Sequence, residues 1–109
     1  MTVVPFRARF TPTDLGEFYR LAAPRLRAGR WGGVARSSGA AFDRLAVLSP
    51  GGPHPAFTLE RDRTGSCRLW GHRGGRPACH LQSASVLDCL ALLRIYCEAE
   101  DCIQGDVDF

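Results

Sequence analysis

The residues of this sequence best able to do chemistry are five cysteines (Cys67, Cys79, Cys89, Cys97, Cys102) and three histidines (His54, His72, His80). Thiolates and imidazoles hold tetrahedral zinc when they come in closely spaced pairs such as Cys-x-x-Cys. The sequence has no such pair, and its nearest neighbours, Cys79 and His80, would point to opposite faces of a strand. No structural metal or cofactor is therefore expected. The odd number of cysteines and the lack of a secretory context predict thiols rather than a disulfide framework. Cys97 and Cys102 flank an acidic stretch, and acidic neighbours raise a thiol's pKa, which argues against reactivity there.

General acid–base or nucleophilic catalysis would have to draw on His54, His72, His80, Glu60 and scattered serines. No Gly-x-Ser-x-Gly elbow joins them, so a non-enzymatic domain is expected. Gly32-Gly33 could offer backbone N–H groups to an anion, with Arg30 and Arg36 beside it, but the Lys and the glycine spacing of a P-loop are missing. Trp31 is expected to pack back on the domain, as tryptophans mostly do.

Charge gives the other functional lead. All 14 basic residues are Arg, and Lys and Asn are both absent, the usage of a GC-rich bacterial genome. Residues 1–80 carry 13 Arg against five acids, while residues 81–109 carry Arg94 against six acids, so the chain is polarised along its length. Arg30, Arg36, Arg61, Arg68, Arg73 and Arg76 are the candidate anion or nucleic-acid contacts. A helix, strands and a helix in an Arg-rich chain superficially resemble a double-stranded-RNA-binding domain. Such domains grip phosphate with a lysine-rich start to the last helix, and here that position reads Ser-Ala-Ser-Val-Leu-Asp.

The elements that must position these residues follow from periodicity. Thr11-Pro12-Thr13-Asp14 supplies an N-cap, a proline at the first helical position and a capping-box acid. Leu15, Phe18, Tyr19, Ala22 and Leu26 then form one helical stripe, Pro24 predicts a kink or stop before Arg27, and Gly29 ends the helix. Gly29–Gly39 reads as a loop or short irregular strand, Phe42–Leu48 as a strand, and residues 49–55 as a connector.

Three strands follow near 56–62, 67–72 and 77–82, with turns at Thr64-Gly65 and Gly74-Gly75. Two-residue turns would pair Phe57 with His72 and Leu59 with Trp70. Phe57, Leu59, Trp70, Cys79 and Leu81 would then form the core face, and Thr58, Glu60, Asp62, His80 and Gln82 the polar one. A three-residue first loop would instead pair Glu60 with Arg68 and turn Trp70 to the polar side.

The second helix opens at Ser83 or Ser85 and runs to about Glu98, followed by an acidic tail over 98–109. Val86, Leu90, Leu93 and Cys97 fill its core stripe. The surplus of Leu92, Ile95 and Tyr96 predicts a partner interface, the alternative cover being the first helix or Ile103, Val107 and Phe109 of the tail.

Together these readings predict one α+β domain over residues 1–109. Its expected form is a two-layer sandwich of order βαββββα, a four- or five-stranded, largely antiparallel sheet with two helices on one face. With no apolar run long enough for a signal peptide or membrane helix, a cytoplasmic location and no membrane partner are expected. The expected function is a regulatory or adaptor domain acting by protein–protein contact with another protein or a second copy, nucleic-acid binding being the alternative.

Overall fold

The computed structural model describes residues 9–52, 54–73 and 76–107, with the side chains of residue 73 and of residues 100–107 outside the description. Its order is α1 (Pro12–Arg27), β1 (Gly33–Ser38), β2 (Phe42–Leu48), β3 (Pro55–Asp62), β4 (Cys67–Arg73), β5 (Arg76–Ser83) and α2 (Val86–Val107). The strands form one antiparallel meander in spatial order β1-β2-β3-β4-β5. This is the α+β class expected, with five strands. The fifth comes from Gly33–Ser38, which is a regular strand, while residues 1–8, where the leading strand of βαββββα was expected, lie outside the described residues.

Local chemistry sets α1 as expected. The Thr11 hydroxyl accepts the Asp14 N–H at 3.1 Å and the Asp14 carboxylate accepts the Thr11 N–H at 2.9 Å, which closes the capping box. Pro24 sits within the helix, which continues to Arg27, and Gly29 at φ 72° turns the chain out of it. Phe18, Leu21 and Ala22 are buried, so Leu21 takes the inward place expected for Tyr19, which is 45% exposed. Trp31 is buried with its ring 6.1 Å from that of Phe18.

The β3–β4 turn decides which residues face the helices. A two-residue turn at Thr64-Gly65 would require positive φ at both positions, which a β-branched residue resists. The chain forms a three-residue loop instead. Gly65 takes φ 86°, its N–H reaches the Asp62 carbonyl at 3.0 Å, and the Asp62 N–H reaches the Ser66 carbonyl at 3.0 Å. Thr58 then pairs with Trp70, Leu59 with Leu69 and Glu60 with Arg68. The expected pairing of Leu59 with Trp70 is wrong by one residue, and that slip puts Trp70 and Cys79 on the face away from the helices.

Three rows across the sheet make the helix-facing layer. They are Val34-Val47-Phe57-Gly71-Ala78, then Arg36-Leu45-Leu59-Leu69-Leu81, then Ser38-Asp43-Arg61-Cys67-Ser83. Leu45, Val47, Leu59, Cys67 and Leu69 are at most 2% exposed, under Phe18 of α1 and Cys89, Leu93 and Cys97 of α2. α2 begins at a serine turn, the Ser83 hydroxyl accepting the Ser85 N–H at 3.1 Å and donating to Asp88 at 2.7 Å. It runs beyond Glu98 to Val107, so the stretch expected as a tail continues the helix. Among the described residues no helix is long and apolar enough to cross a membrane.

One carboxylate in this layer is fully buried. Asp43 accepts from the Phe10 N–H at 3.0 Å, the Arg36 guanidinium at 3.0 and 2.6 Å, and the Ser38 hydroxyl at 2.8 Å. Burial pushes its carboxyl up, but those bonds and the Arg36 charge outweigh burial and hold it below the ordinary value of 3.8. The stability Asp43 confers is therefore complete above that value and is lost as pH falls through the lower value it has in the folded chain.

Two expectations follow, both read by urea unfolding. Leu69→Ala should cost about 2–5 kcal/mol by opening a core cavity, whereas Trp70→Ala, on the outer face, should cost only about 1 kcal/mol. Asp43→Ala should cost about 2–4 kcal/mol, because the Phe10 N–H and the Ser38 hydroxyl lose their acceptor, and should remove the corresponding acid-limb loss of stability.

Candidate functional site on the open sheet face

With both helices on one side, the other face of the sheet has no layer over it among the described residues. Its side chains also form rows across the strands. One row is Ala35-Ala46-Thr58-Trp70-Cys79, and the next is Ser37-Arg44-Glu60-Arg68-Gln82. Trp70 is the one large side chain in the first row, so the surface steps up from small residues to an indole. A groove of about 470 Å³ follows that step, lined by Ser37, Arg44, Ala46, Pro55, Thr58, Glu60, Trp70, His72 and Pro77.

The polar groups of the groove are engaged with one another. Arg44 meets Glu60 at 2.6 Å and lies over the Phe42 ring, 4.4 Å from its centroid. Arg68 bonds Asp62 at 3.1 Å and lies 4.0 Å from Glu60. These two arginines are offset by two acids, Glu60 in the same row and Asp62 in the next. Thr58, buried, shares a 2.8 Å hydrogen bond with His72 Nε2, and burial holds the imidazole below its ordinary 6.5. A hydroxyl beside a neutral imidazole is the start of a nucleophile–base pair. Such a pair needs a third group to orient the ring, and among the described residues no carboxylate bonds His72.

The six candidate arginines are not gathered on this face. Arg36 and Arg61 lie on the helix side, the first on Asp43 and the second bonding Asp14 at 3.1 Å and the Arg9 carbonyl at 3.0 Å. Arg68 is on the open face in the ion pairs above, Arg30 lies in the connection between α1 and β1, and Arg76 is exposed at the start of β5. The Arg73 side chain is outside the described residues.

The expected α2 patch divides. Tyr96 stacks on Phe57 at 6.0 Å and packs against His80 at 5.1 Å, and Leu92 is half-buried against the core. Ile95 stays 59% exposed, one helical row with Ala91 and the 49% exposed Leu87. Ile103, Val107 and Phe109, the alternative cover, have no described side chains.

Among the described residues no group of three His, Cys, Asp or Glu is placed to hold a metal ion. Cys67, Cys79, Cys89 and Cys97 are thiols, three of them buried. The Cys89 hydrogen bond and burial drive the Cys67 thiol far above its ordinary range, so it is no nucleophile.

Sequence reasoning missed Trp70, Thr58 and His72 as neighbours on an outer face. Thr64 carried the signal, since it makes the two-residue turn unfavourable, and so did the opposite charges of Glu60 and Arg68. No protein-family model, curated protein or solved structure matches this chain.

His72 gives a pH dependence of definite sign. The unfolded chain takes up a proton at about 6.5 that the folded chain refuses, so stability is complete above that pH and declines as pH falls below it. His72→Gln should flatten this decline in urea unfolding curves taken on either side of 6.5.

Proposed function

We propose that this chain is a non-enzymatic binding domain, a regulatory or adaptor module that engages another protein through the open face of its sheet. The observation that carries the reading is the groove around Trp70. Tryptophan and arginine are the side chains that most often anchor protein interfaces, and here both stand on a rigid sheet at the edge of a groove. Self-neutralised charge on the same face favours recognition by shape and apolar contact over recognition of phosphate. The unbridged thiols fit a reducing compartment, and with the all-arginine composition they support placement in a bacterial cytoplasm.

Affinity purification of the tagged chain from its native cell, with and without nuclease, tests this when run beside Ala46→Arg, which fills the groove without touching the core. The expected result is a stoichiometric protein partner that resists nuclease and is lost from Ala46→Arg. Retention that nuclease abolishes would replace this reading with nucleic-acid binding. A partner held equally by the variant would move the site off the groove.

A further inference from the structure

The sheet has two edge strands, and they are built differently. β5 is blunted: Pro77 has no N–H to offer, and the pairing with β4 shifts between Leu69 and Trp70, leaving His80 as an extra residue. β1 has neither device. Its pairing with β2 is unbroken from Gly33 to Ser38, it contains no proline, its one charge is folded onto Asp43, and Ala35–Ser38 are exposed.

The hydrogen-bonding phase of β1 follows from the hairpin end, where the Gly39 N–H bonds the Phe42 carbonyl at 2.9 Å. In an antiparallel ladder the bonding residues alternate. Gly33, Ala35 and Ser37 therefore direct their N–H and C=O groups to β2, and Val34, Arg36 and Ser38 direct theirs away from the sheet. Among the described residues β1 has no partner but β2. Beside this edge, on the helix side, stands Tyr19, a large side chain left 45% exposed and close enough to Arg36 for the two to interact electrostatically.

We infer that β1 is the seam of a homodimer, in which it pairs antiparallel with β1 of a second copy of this chain about a two-fold axis at Ser37. Two strands with the same outward phase can be paired about Ala35, Arg36 or Ser37. Centring on Arg36 sets two guanidiniums directly opposite, a repulsive cross-strand pair. Centring on Ser37 sets Arg36 opposite Ser38 of the second copy, whose hydroxyl bonds Asp43. Each guanidinium, 40% exposed, then lies beside a hydroxyl oxygen, whereas centring on Ala35 would set it opposite the apolar Val34, and this contact selects the register. About this axis Arg36–Ser38 of each copy pair with one another, and Val34 falls opposite Ala40, just past the end of the strand.

An axis normal to the sheet keeps both helix layers on one side, so α1 faces its own copy and Tyr19 is the side chain that fills the space between them. The result is a continuous ten-stranded sheet. Ser37 lines both the seam and the Trp70 groove, so the two open faces join into one surface. The dimer goes beyond the proposed partner binding and does not depend on it.

Light scattering on the full chain should give twice the monomer mass of 11.9 kDa at micromolar concentration. Ser37→Lys, which places two ammonium groups together at the axis on an exposed position, should give a monomer that melts like the parent fold. Register is read by cross-linking in a Cys79→Ser, Cys102→Ser background. Ser37 pairs with itself at a non-hydrogen-bonded position, with a Cα separation of about 4.5 Å, inside the disulfide range. Ser37→Cys should thus form a covalent dimer with diamide, which takes up the two electrons and two protons released by the thiols. Ala35→Cys, about 13 Å from its counterpart at strand spacing, should not. A parent chain that stays monomeric overturns the proposal. So does a dimer that survives Ser37→Lys, or one in which Ala35→Cys cross-links and Ser37→Cys does not. None of these outcomes bears on whether Ala46→Arg loses a partner protein.

Discussion

A buried carboxylate with four bonds to it organises one end of this molecule. Asp43 has no exposed surface, and an isolated charge there would be too costly to keep. Its acceptors are filled from three directions: Phe10 ahead of α1, and Arg36 and Ser38 on β1. The chain entering α1 and the β1–β2 hairpin are thereby fixed to the same atom pair. Arg9 adds to the lock by donating to the Gly39 and Phe42 carbonyls at 2.8 and 3.0 Å. Arg61 on β3 then reaches Asp14, whose carboxylate also caps α1. The end row Ser38-Asp43-Arg61-Cys67-Ser83 is a polar clamp beside a row of four leucines. The leucines supply apolar burial, which is non-directional, and the clamp supplies the register that burial alone does not specify.

Polar side chains on the two faces of the sheet do opposite things. On the helix side Arg36 and Arg61 hold elements together. On the open side Arg44, Glu60, Arg68 and Asp62 neutralise one another across neighbouring strands and hold nothing above them. Exposed ion pairs of this kind contribute little stability, about 0–1 kcal/mol each. Their effect is to leave an open sheet face with little net charge, on which Trp70 is the dominant feature. That is why the 13 Arg of residues 1–80 do not produce a basic surface at this site.

Much of the fold was legible because it rests on local chemistry. Thr11 and Asp14 announce α1, and the spans of β2 to β5 are correct within a residue or so, since turn residues mark them. The core stripe of α2, Val86, Leu90, Leu93 and Cys97, was read correctly from its spacing. The face of Trp70 was not. A strand's side chains alternate with period two, so a single residue in turn length reverses every assignment, and the choice lay in the φ that Thr64 can adopt. Apolarity pointed the wrong way there, because an indole on an open face looks like core in composition. The surplus on α2 was also invisible as covered: Tyr96 finds Phe57 and His80 only because Gly71 has no side chain, and a Cβ there would overlap the His80 ring.

Two irregularities in pairing turn this sheet into one with a groove. Between β2 and β3 the register shifts so that Val47 meets Phe57 but Leu48 meets Pro55, leaving Ala56 as the extra residue. Strict alternation from Thr58 would have put Ala56 on the open face and Pro55 among the helices. The shift reverses both: Ala56 packs on the core and Pro55 lines the groove. Between β4 and β5 the extra residue is His80, and the same logic applies. Counting back from Leu81, alternation alone would have put His80 beside Trp70 and Pro77 under α2. The bulge sends His80 to Tyr96 and brings Pro77 round to His72. Both groove prolines therefore owe their position to a bulge, and both bulges lie on the strands that flank Trp70's neighbourhood. Such bulges interrupt the ladder, and a sheet evolved for stability alone would gain by losing them. Their joint outcome is a rim of Pro55, Trp70, His72 and Pro77 around a floor of Ala46 and Thr58, a shape that neither the composition nor the regular pleat would produce.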